Sequence, residues 1–423
     1  MEMRVARTVE DLAEVIEATR RGFRVERAPK SAAADWSLVD GAVQHASGGF
    51  FSVHGVRDRR GEAVLLYQPQ AAVTGLLCAD LNGERHYLLQ ARAEPGCLGE
   101  VQYGPTVQST PANFMRLHGG AATPYIEAFI SFKAGMRVLQ DTTQLDLGER
   151  YLFKSKRSLL IEFEEAPEAA APFVWASADA IRQAASRPAF LNLDLRSILA
   201  IAPWSGAGDK AALGLRRSAL AESLKRPVRP DMLGQLWTQL SHREEAPEFV
   251  PLQSLSNWEE TDWGWSERVA VQGFDLDFFE VSAAHREVSA WVQPLVNAHT
   301  EGEAILACRE RQGAMEVLVQ VVAERGLSTT RALAPTYLRY PGAPGSPPSW
   351  LSQGVELFSQ TTESDEGGRF FRDASRYALV RADAPDLGED FCWINLAELK
   401  TMLAASNVCT IQMRALASQL LGL

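Results

Sequence analysis

Ten residues able to move protons or hold a polar ligand crowd into one 29-residue stretch: Gln90, Arg92, Glu94, Gln102, Tyr103, Thr106, Gln108, Asn113, Arg116 and His118. A partly buried carboxylate or imidazole can accept a proton near neutral pH. Amides read ligand hydroxyls, and a guanidinium fork fits paired anionic oxygens. Gln90, Arg92 and Glu94 alternate along the chain, so on a strand they share one face, beside the apolar Leu88 and Leu89. Such a polar row predicts a lined pocket, although any single amide is equally explained by a hydrogen bond to loop backbone. Pro95-Gly96, Gly104-Pro105 and Gly119-Gly120 punctuate the stretch with turns.

The elements that position these groups are written twice. Residues 50–200 recur loosely between 278 and 418. Trp36 and Asp40 answer to Trp258 and Asp262, Phe50-Phe51 to Phe278-Phe279, and Gln68-Pro69 to Gln293-Pro294. Gln90, Glu94, Gly96, Pro105 and Thr106 answer to Gln320, Glu324, Gly326, Pro335 and Thr336 at an offset of 230. Thr142-Thr143, Arg150 and Arg157 match Thr361-Thr362, Arg369 and Arg376 at 219, and Trp175 and Arg196 match Trp393 and Arg414 at 218. Offsets that drift only at loops predict a duplicated domain: 1–204 with the polar motif intact, a bridge at 205–230, and 231–423 with the motif eroded. The matched tryptophans and phenylalanines are expected to be core anchors.

Within each half a helix comes first. Thr8 can cap Val9 to Arg21, with Asp11 at capping-box distance, and Asp231 to His242 is its counterpart. Strands are predicted at Gly49 to Val56, Ala63 to Tyr67, Gly75 to Ala79, His86 to Ala91 and Leu152 to Phe163. Helices at Ser177 to Ala185 and Leu396 to Ala404 close the units. Strands mixed with a few helices, without regular alternation, indicate an α+β fold with mixed sheets flanked by helices.

Composition narrows the function. A net charge of -11 disfavours nucleic acid, which needs concentrated Lys and Arg, but allows a small anion held by a few local arginines. No apolar run approaches the roughly 18 residues of a membrane span. The first 23 residues lack an apolar signal region, and the five scattered cysteines contain no CxxC pair, so a cytoplasmic protein with free thiols is expected. No GxGxxG turn holds a dinucleotide, and the seven histidines form neither HxH nor HxxxH, so neither redox cofactor nor metal is expected.

QARAEPG, PTVQST, NF and HGG, in that order from Gln90 to Gly120, resemble the signature of the nucleotide-diphosphohexose 2,3-dehydratases of bacterial deoxysugar biosynthesis. QTTESDEGGRFFRDASRYALV at 360–380 and the closing DFCWINLAELK extend the resemblance over nearly the whole chain. It implies tandem Nudix-like domains without the hydrolytic glutamate box, a homodimer, and dehydration of a dTDP-linked 4-keto-6-deoxy sugar whose product a 3-ketoreductase consumes in antibiotic or surface-sugar assembly. That reaction removes the C3 hydrogen beside the C4 ketone, stabilises the enolate and expels the C2 hydroxyl. Glu94 or His118 is then the candidate base and Tyr103 a donor to the ketone or leaving hydroxyl. Gln90, Gln102, Thr106, Gln108 and Asn113 become candidate sugar and thymine contacts, and Arg92, Arg116, Arg157 and Arg376 candidates for the diphosphate. The chain departs from the family at Tyr103, where Leu is usual, at Pro111, where Arg is usual, and in the eroded second PTVQ-like run, Pro335-Thr336-Tyr337-Leu338. A non-catalytic sugar-nucleotide binder of the same fold is the alternative reading.

Overall fold

The computed structural model describes residues 5–117, 119, 121–202, 217–283, 288–384 and 387–421. The chain is α+β, and its two halves repeat one order of elements, a small sheet followed by a larger mixed one. In the first half the small sheet runs through Trp36–Val39, Ala42–His45, Ser52–Asp58 and Gly61–Tyr67; the large one is ordered Val5–Ala6, Phe173–Ser177, Glu84–Ala93, Ala72–Leu81, Ser155–Phe163, Met136–Leu145. The second half repeats this with Trp258–Glu260, Gly264–Glu267, Phe274–Ser282 and Ala290–Ala298, then Arg331–Pro335, Ala314–Ala323, Gly302–Arg311, Ala374–Arg381 and Glu356–Ser364.

Local chemistry accounts for the first helix, Val9–Arg20. Thr8 Oγ accepts from the Asp11 amide at 3.2 Å and the Asp11 carboxylate accepts from the Thr8 amide at 2.9 Å, closing a capping box worth about 1 kcal/mol. The predicted bridge behaves differently from a linker. Residues 203–216 lie outside the described residues, but Arg217–Lys225 is helical, and Ser223 Oγ, which donates to Met315 O at 2.5 Å, fastens it to the second half. Among the described residues, Leu193–Ile201, Ile411–Leu421 and the short helices Pro111–Phe114, Glu127–Ile130 and Ser349–Ser352 also escaped the periodicity. Every residue of the first is buried, so no polar stripe marks its outer face.

The halves interlock by exchange. Arg24–Arg27 leaves the first half to pair with Phe274–Ser282, and Glu248–Val250 leaves the second to pair with Ser52–Asp58. These strands are too short to read from sequence. A second reciprocal set joins backbone at two glycine turns: Gly96 N donates to Gly367 O at 2.8 Å and Gly326 N to Gly148 O at 2.8 Å, while Arg372 N donates to Gly96 O at 3.0 Å and Phe153 N to Gly326 O at 2.6 Å. The largest apolar core accordingly draws side chains from both halves, including Phe51, Tyr151, Phe274 and Phe370.

This symmetry corrects two of the sequence pairings. Leu66 N donates to Arg150 O and Val296 N to Arg369 O, which sets Leu66 against Val296. Gln68 therefore lies just past its strand whereas Gln293 and Pro294 lie inside theirs, and the Gln-Pro match is accidental. Likewise Phe51 packs on Trp36 at 4.9 Å as Phe274 packs on Trp258 at 5.2 Å, so Phe274, rather than Phe278 or Phe279, is the counterpart of Phe51.

A Cβ at Gly326 would stand 1.8 Å from Tyr151 O, and one at Gly96 1.6 Å from Phe370 O. Gly326→Ala is therefore expected to lower stability by more than about 2 kcal/mol. Gly234→Ala, on a helix face with nothing within 4 Å, is expected to be neutral or stabilising by up to about 1 kcal/mol. Denaturant unfolding of the pair checks this, and equal midpoints would contradict the clasp.

Candidate active site

In the first half, the strand Glu84–Ala93 and its continuation deliver Arg92 and Glu94 to a cavity of about 370 Å³. Arg92 Nη2 meets Glu94 Oε1 at 3.0 Å and Arg92 Nη1 donates to Gln90 Oε1 at 2.7 Å, so the alternating row predicted from sequence is one connected group. A Cβ at Gly104 would stand 2.8 Å from Arg92 Cδ and 2.9 Å from Asn192 Nδ2. Only a glycine there lets Arg92, Asn192 and Gln108 converge. Asn192 Nδ2 donates to Gln108 Oε1 at 2.9 Å, and Gln108, Thr110 and Asn113 line one wall.

The floor is ionic and buried. Lys156 Nζ lies 3.2 Å from Asp146 and 2.7 Å from Asp194; Lys154 Nζ lies 3.8 Å from Asp146 and 4.0 Å above the Tyr151 ring. Burial opposes charge on Lys156, but Asp146, Asp194 and Glu366 outweigh it and raise its pKa. Lys154 has less compensation: burial and the neighbouring Arg369 bring it down to about 8. Burial raises the Glu366 carboxyl against the pull of Arg369, Lys154 and Lys156.

The second half supplies the remaining wall. Glu366 accepts from the amides of Gly368 at 2.9 Å and Arg369 at 2.5 Å, turning the chain so that Arg369 lies 5.2 Å over Phe51 and reaches Gln68 Oε1 at 3.2 Å. Among the described residues the Arg369 Nε is buried without a hydrogen-bond partner, a donor left for a ligand. Trp291 and Gln293 join from the strand Ala290–Ala298, with Gln293 Nε2 donating to Gly368 O at 2.6 Å. Trp36, His45 and Phe50, each half-buried, form an aromatic side of the same cavity. Trp36 also anchors, donating from Nε1 to Val292 O at 2.9 Å, so it exceeds the structural role expected of it. Trp175 is a core anchor, fully buried with its Nε1 on Pro167 O.

Several expected site residues lie elsewhere. Tyr103 is fully buried in the core on the other side of the sheet, its hydroxyl donating to Leu12 O at 2.8 Å, because neighbouring strand positions face opposite ways and Gln102 takes the inner one. Gln102 Nε2 donates to Ser364 Oγ at 2.8 Å in a small adjoining space between the halves. Thr106 ties two strands, accepting from Leu77 N at 2.9 Å and donating to Leu88 O at 2.5 Å; Thr336 repeats both bonds on Ala307 and Leu318. Arg157 grips Asp141 at 2.6 Å on the outer surface, and Arg376 pairs with Glu303 and Gln360. Arg116 is exposed at a left-handed turn outside the cavity lining, and His118 lies outside the described residues. Lys154, Lys156, Asp194, Glu366 and Arg369 were not among the residues expected at the site: the first four stand where the copies differ, and Arg369, matched to Arg150, reads as a shared anchor of the fold.

At the corresponding place in the second half the space is filled. Ser109 pairs with Val73 as Arg339 pairs with Glu303, which sets Thr110 against Tyr340. Tyr340 donates to Glu324 Oε2 at 2.9 Å, under Arg150 at 5.5 Å, where Thr110 leaves room. Glu324 also accepts from Gly148 N at 3.0 Å, and burial raises its pKa to about 8.

The cavity sets an aromatic side against a floor of buried charge, a composition that suits a small, polar, anion-bearing molecule. The chain belongs to the NDP-hexose 2,3-dehydratase family, whose sequence model matches residues 10–202 and again 232–420. It is 28% identical to the dTDP-4-dehydro-6-deoxy-alpha-D-glucopyranose 2,3-dehydratase of Saccharopolyspora spinosa, over 94% of this chain and 88% of that one. It is 28% identical to the protein of the same name from Streptomyces violaceoruber, over 93% and 92%. A Nudix hydrolase from M. Smegmatis, RenU, superposes on 30% of this chain and 81% of its own at 18% identity, with a TM-score of 0.20, too slight a likeness to argue from.

The Glu324 carboxyl has an ordinary value of 4.5 and a folded value of about 8. Between these, the folded state holds a proton that the unfolded state releases, so this group's contribution to stability falls as pH rises. Glu324→Gln is expected to shrink the loss of thermal stability between pH 5 and pH 8.5 by roughly 3 °C or more. Parallel melting curves for the two proteins would show that Glu324 does not carry this proton.

Proposed function

We propose that the chain dehydrates a dTDP-linked 4-keto-6-deoxyhexose across C2 and C3, with the sugar at the ionic floor and the nucleotide toward Trp36, His45 and Phe50. The observation that carries this reading is the composite cavity itself. Buried carboxylates and lysines face one another at one end, and Arg369, with its unpartnered Nε, stands between them and the aromatic side, the place for a diphosphate. Gln108 and Asn113 are amide contacts for hydroxyls or the base edge. Arg92 holds the Glu94 carboxylate through Oε1 at 3.0 Å and Cys97 Sγ lies 3.9 Å from Oε2; this carboxylate, on the cavity wall, is the group to take the C3 proton. The electron pair of the C3–H bond moves toward the C4 carbonyl, then returns to expel the C2 hydroxyl, which leaves as water after protonation. The resulting enol becomes a 3,4-diketo sugar, which a 3-ketoreductase would consume. None of the five cysteines, all among the described residues, forms a disulfide, which suits the cytoplasm, and a homodimer working in antibiotic or other deoxysugar assembly completes the proposal.

The test is incubation of the 4-keto-6-deoxy sugar nucleotide in deuterated water with a ketoreductase trap. Deuterium at C3 of recovered substrate and a trapped 2-deoxy product carrying solvent deuterium at C2 are expected, and Glu94→Gln should slow both by about 10²-fold or more. Binding without exchange or water loss would support a non-catalytic sugar-nucleotide binder instead.

A further inference from the structure

The two copies disagree most sharply beneath the cavity, where the fold itself is unchanged. Asp146 to Lys154 reads DLGERYLFK, and Asp365 to Asp373 reads DEGGRFFRD at an offset of 219. Both segments place a non-glycine residue in the left-handed region one step before the last position, Phe153 at φ 56° and Arg372 at φ 54°. Lys154 and Asp373 are therefore presented by the same backbone. Asp373 caps the Ala298 amide at 2.9 Å, a structural duty. Lys154 has no such duty: among the described residues its ammonium makes no hydrogen bond, standing 3.8 Å from Asp146 and 4.0 Å from the Tyr151 ring. A buried lysine that the fold does not require, lining a cavity, is kept for what enters the cavity.

The other cations at the site have other places. Lys156 is pinned between Asp146 and Asp194, Arg92 is spent on Glu94 and Gln90, and Arg369 lies over Phe51 toward the aromatic side, where the diphosphate is placed. Glu94 shares its position with Glu324, which caps Gly148 in the filled copy, so a carboxylate there also serves the junction between halves. Lys154, by contrast, is peculiar to the open copy.

We propose that Lys154 is the catalytic cation that receives the negative charge developing on the C4 oxygen when the C3 proton is removed. This rests on the dehydratase reading above. In the step, the base takes the C3 proton, the C–H electron pair becomes a C3–C4 double bond, and the carbonyl pair settles on oxygen against the ammonium. The charge then flows back to form the C2–C3 double bond, the C2–O bond breaks, and the hydroxyl leaves as water with the proton returned by the base, so Lys154 ends with the proton count it began with. An ammonium at this point stabilises the enolate more than the ketone and so lowers the barrier.

Lys154→Met removes the charge and keeps the stem; Lys154→Arg keeps a charge that does not titrate. With the full-length protein and the 4-keto sugar nucleotide, the Met variant is expected to lose at least about 10²-fold in kcat with KM changed less than about threefold, and to lose C3 deuterium exchange in parallel. The Arg variant should retain more activity than Met. Lys154 is faced by Asp146, Lys156, Arg369, Glu366 and Tyr151, and burial brings it to about 8, so wild-type kcat should fall as pH rises through that value, and the Arg variant should lack this limb. A merely structural lysine would move melting temperature and leave the pH profile intact. Met-variant kcat within threefold of wild type, with wild type dehydrating normally, would overturn the role of Lys154. A wild-type protein that binds the sugar nucleotide but releases no water would overturn the reading and this inference with it.

Discussion

The structure depends on a reciprocal backbone clasp between two glycine turns. Gly96 and Gly367, and Gly326 and Gly148, meet at 2.8 Å, close enough that no side chain fits between the halves. Each turn arrives from a large sheet and is locked by an amide of the other half, so neither sheet can shift without unpairing buried backbone, at about 1 to 3 kcal/mol per group. The exchanged strands Arg24–Arg27 and Glu248–Val250 extend the same constraint to the small sheets. The consequence for chemistry is positional. Glu366 and Arg369 are delivered to the first half's cavity by the clasp, and Arg150 is delivered by its mirror image to the second.

With the frame fixed, divergence is confined to side chains. Arg369 lies over Phe51 and Arg150 over Phe274 in mirrored fashion, at 5.2 and 4.6 Å. Thr110 and Tyr340, Lys154 and Asp373, and Asp194 and Gln412 then decide the difference between an open charged cavity and a filled one. Burying two lysines and three carboxylates costs several kcal/mol per ion before pairing. The second copy also buries carboxylates, Glu324, Asp365 and Asp373, but where the first has Lys154 and Lys156 it has Asp373 and Ser375. The buried lysines, present in one copy alone, mark a function more surely than the buried carboxylates do.

Much of this was legible in the chain. The capped helix at Val9, the helices at Leu396 and Asp231, the strand that carries Gln90 and Arg92 and leads to Glu94, and the duplication all follow from period and spacing. Arg92, Glu94, Gln108 and Asn113 do reach the cavity. Tyr103 and Thr106 do not, because motif residues shared with a fold's strand pairing look the same in sequence as ligand contacts. Arg157 and Arg376 were matched at one offset, and that match was the clue that they serve surface pairs in both copies. The contribution of the second half could not be seen, since strand exchange and the glycine clasp depend on pairings between distant parts of the chain, such as Arg57 with Glu248 and Gly96 with Gly367, that leave no periodic trace.

The central claim is that one active cavity is assembled from both halves, and the mirrored arginines test it most directly. Steady-state turnover and melting temperature would be measured for Arg369→Met and Arg150→Met. The account predicts that Arg369→Met loses at least about tenfold in kcat/KM while remaining folded, because a charge-assisted contact to the ligand is removed. Arg150→Met should instead melt earlier, having lost its contacts with Pro341, Phe274 and Tyr340, and keep its turnover per folded molecule. Equal losses of turnover in both variants, or a loss confined to Arg150→Met, would contradict it.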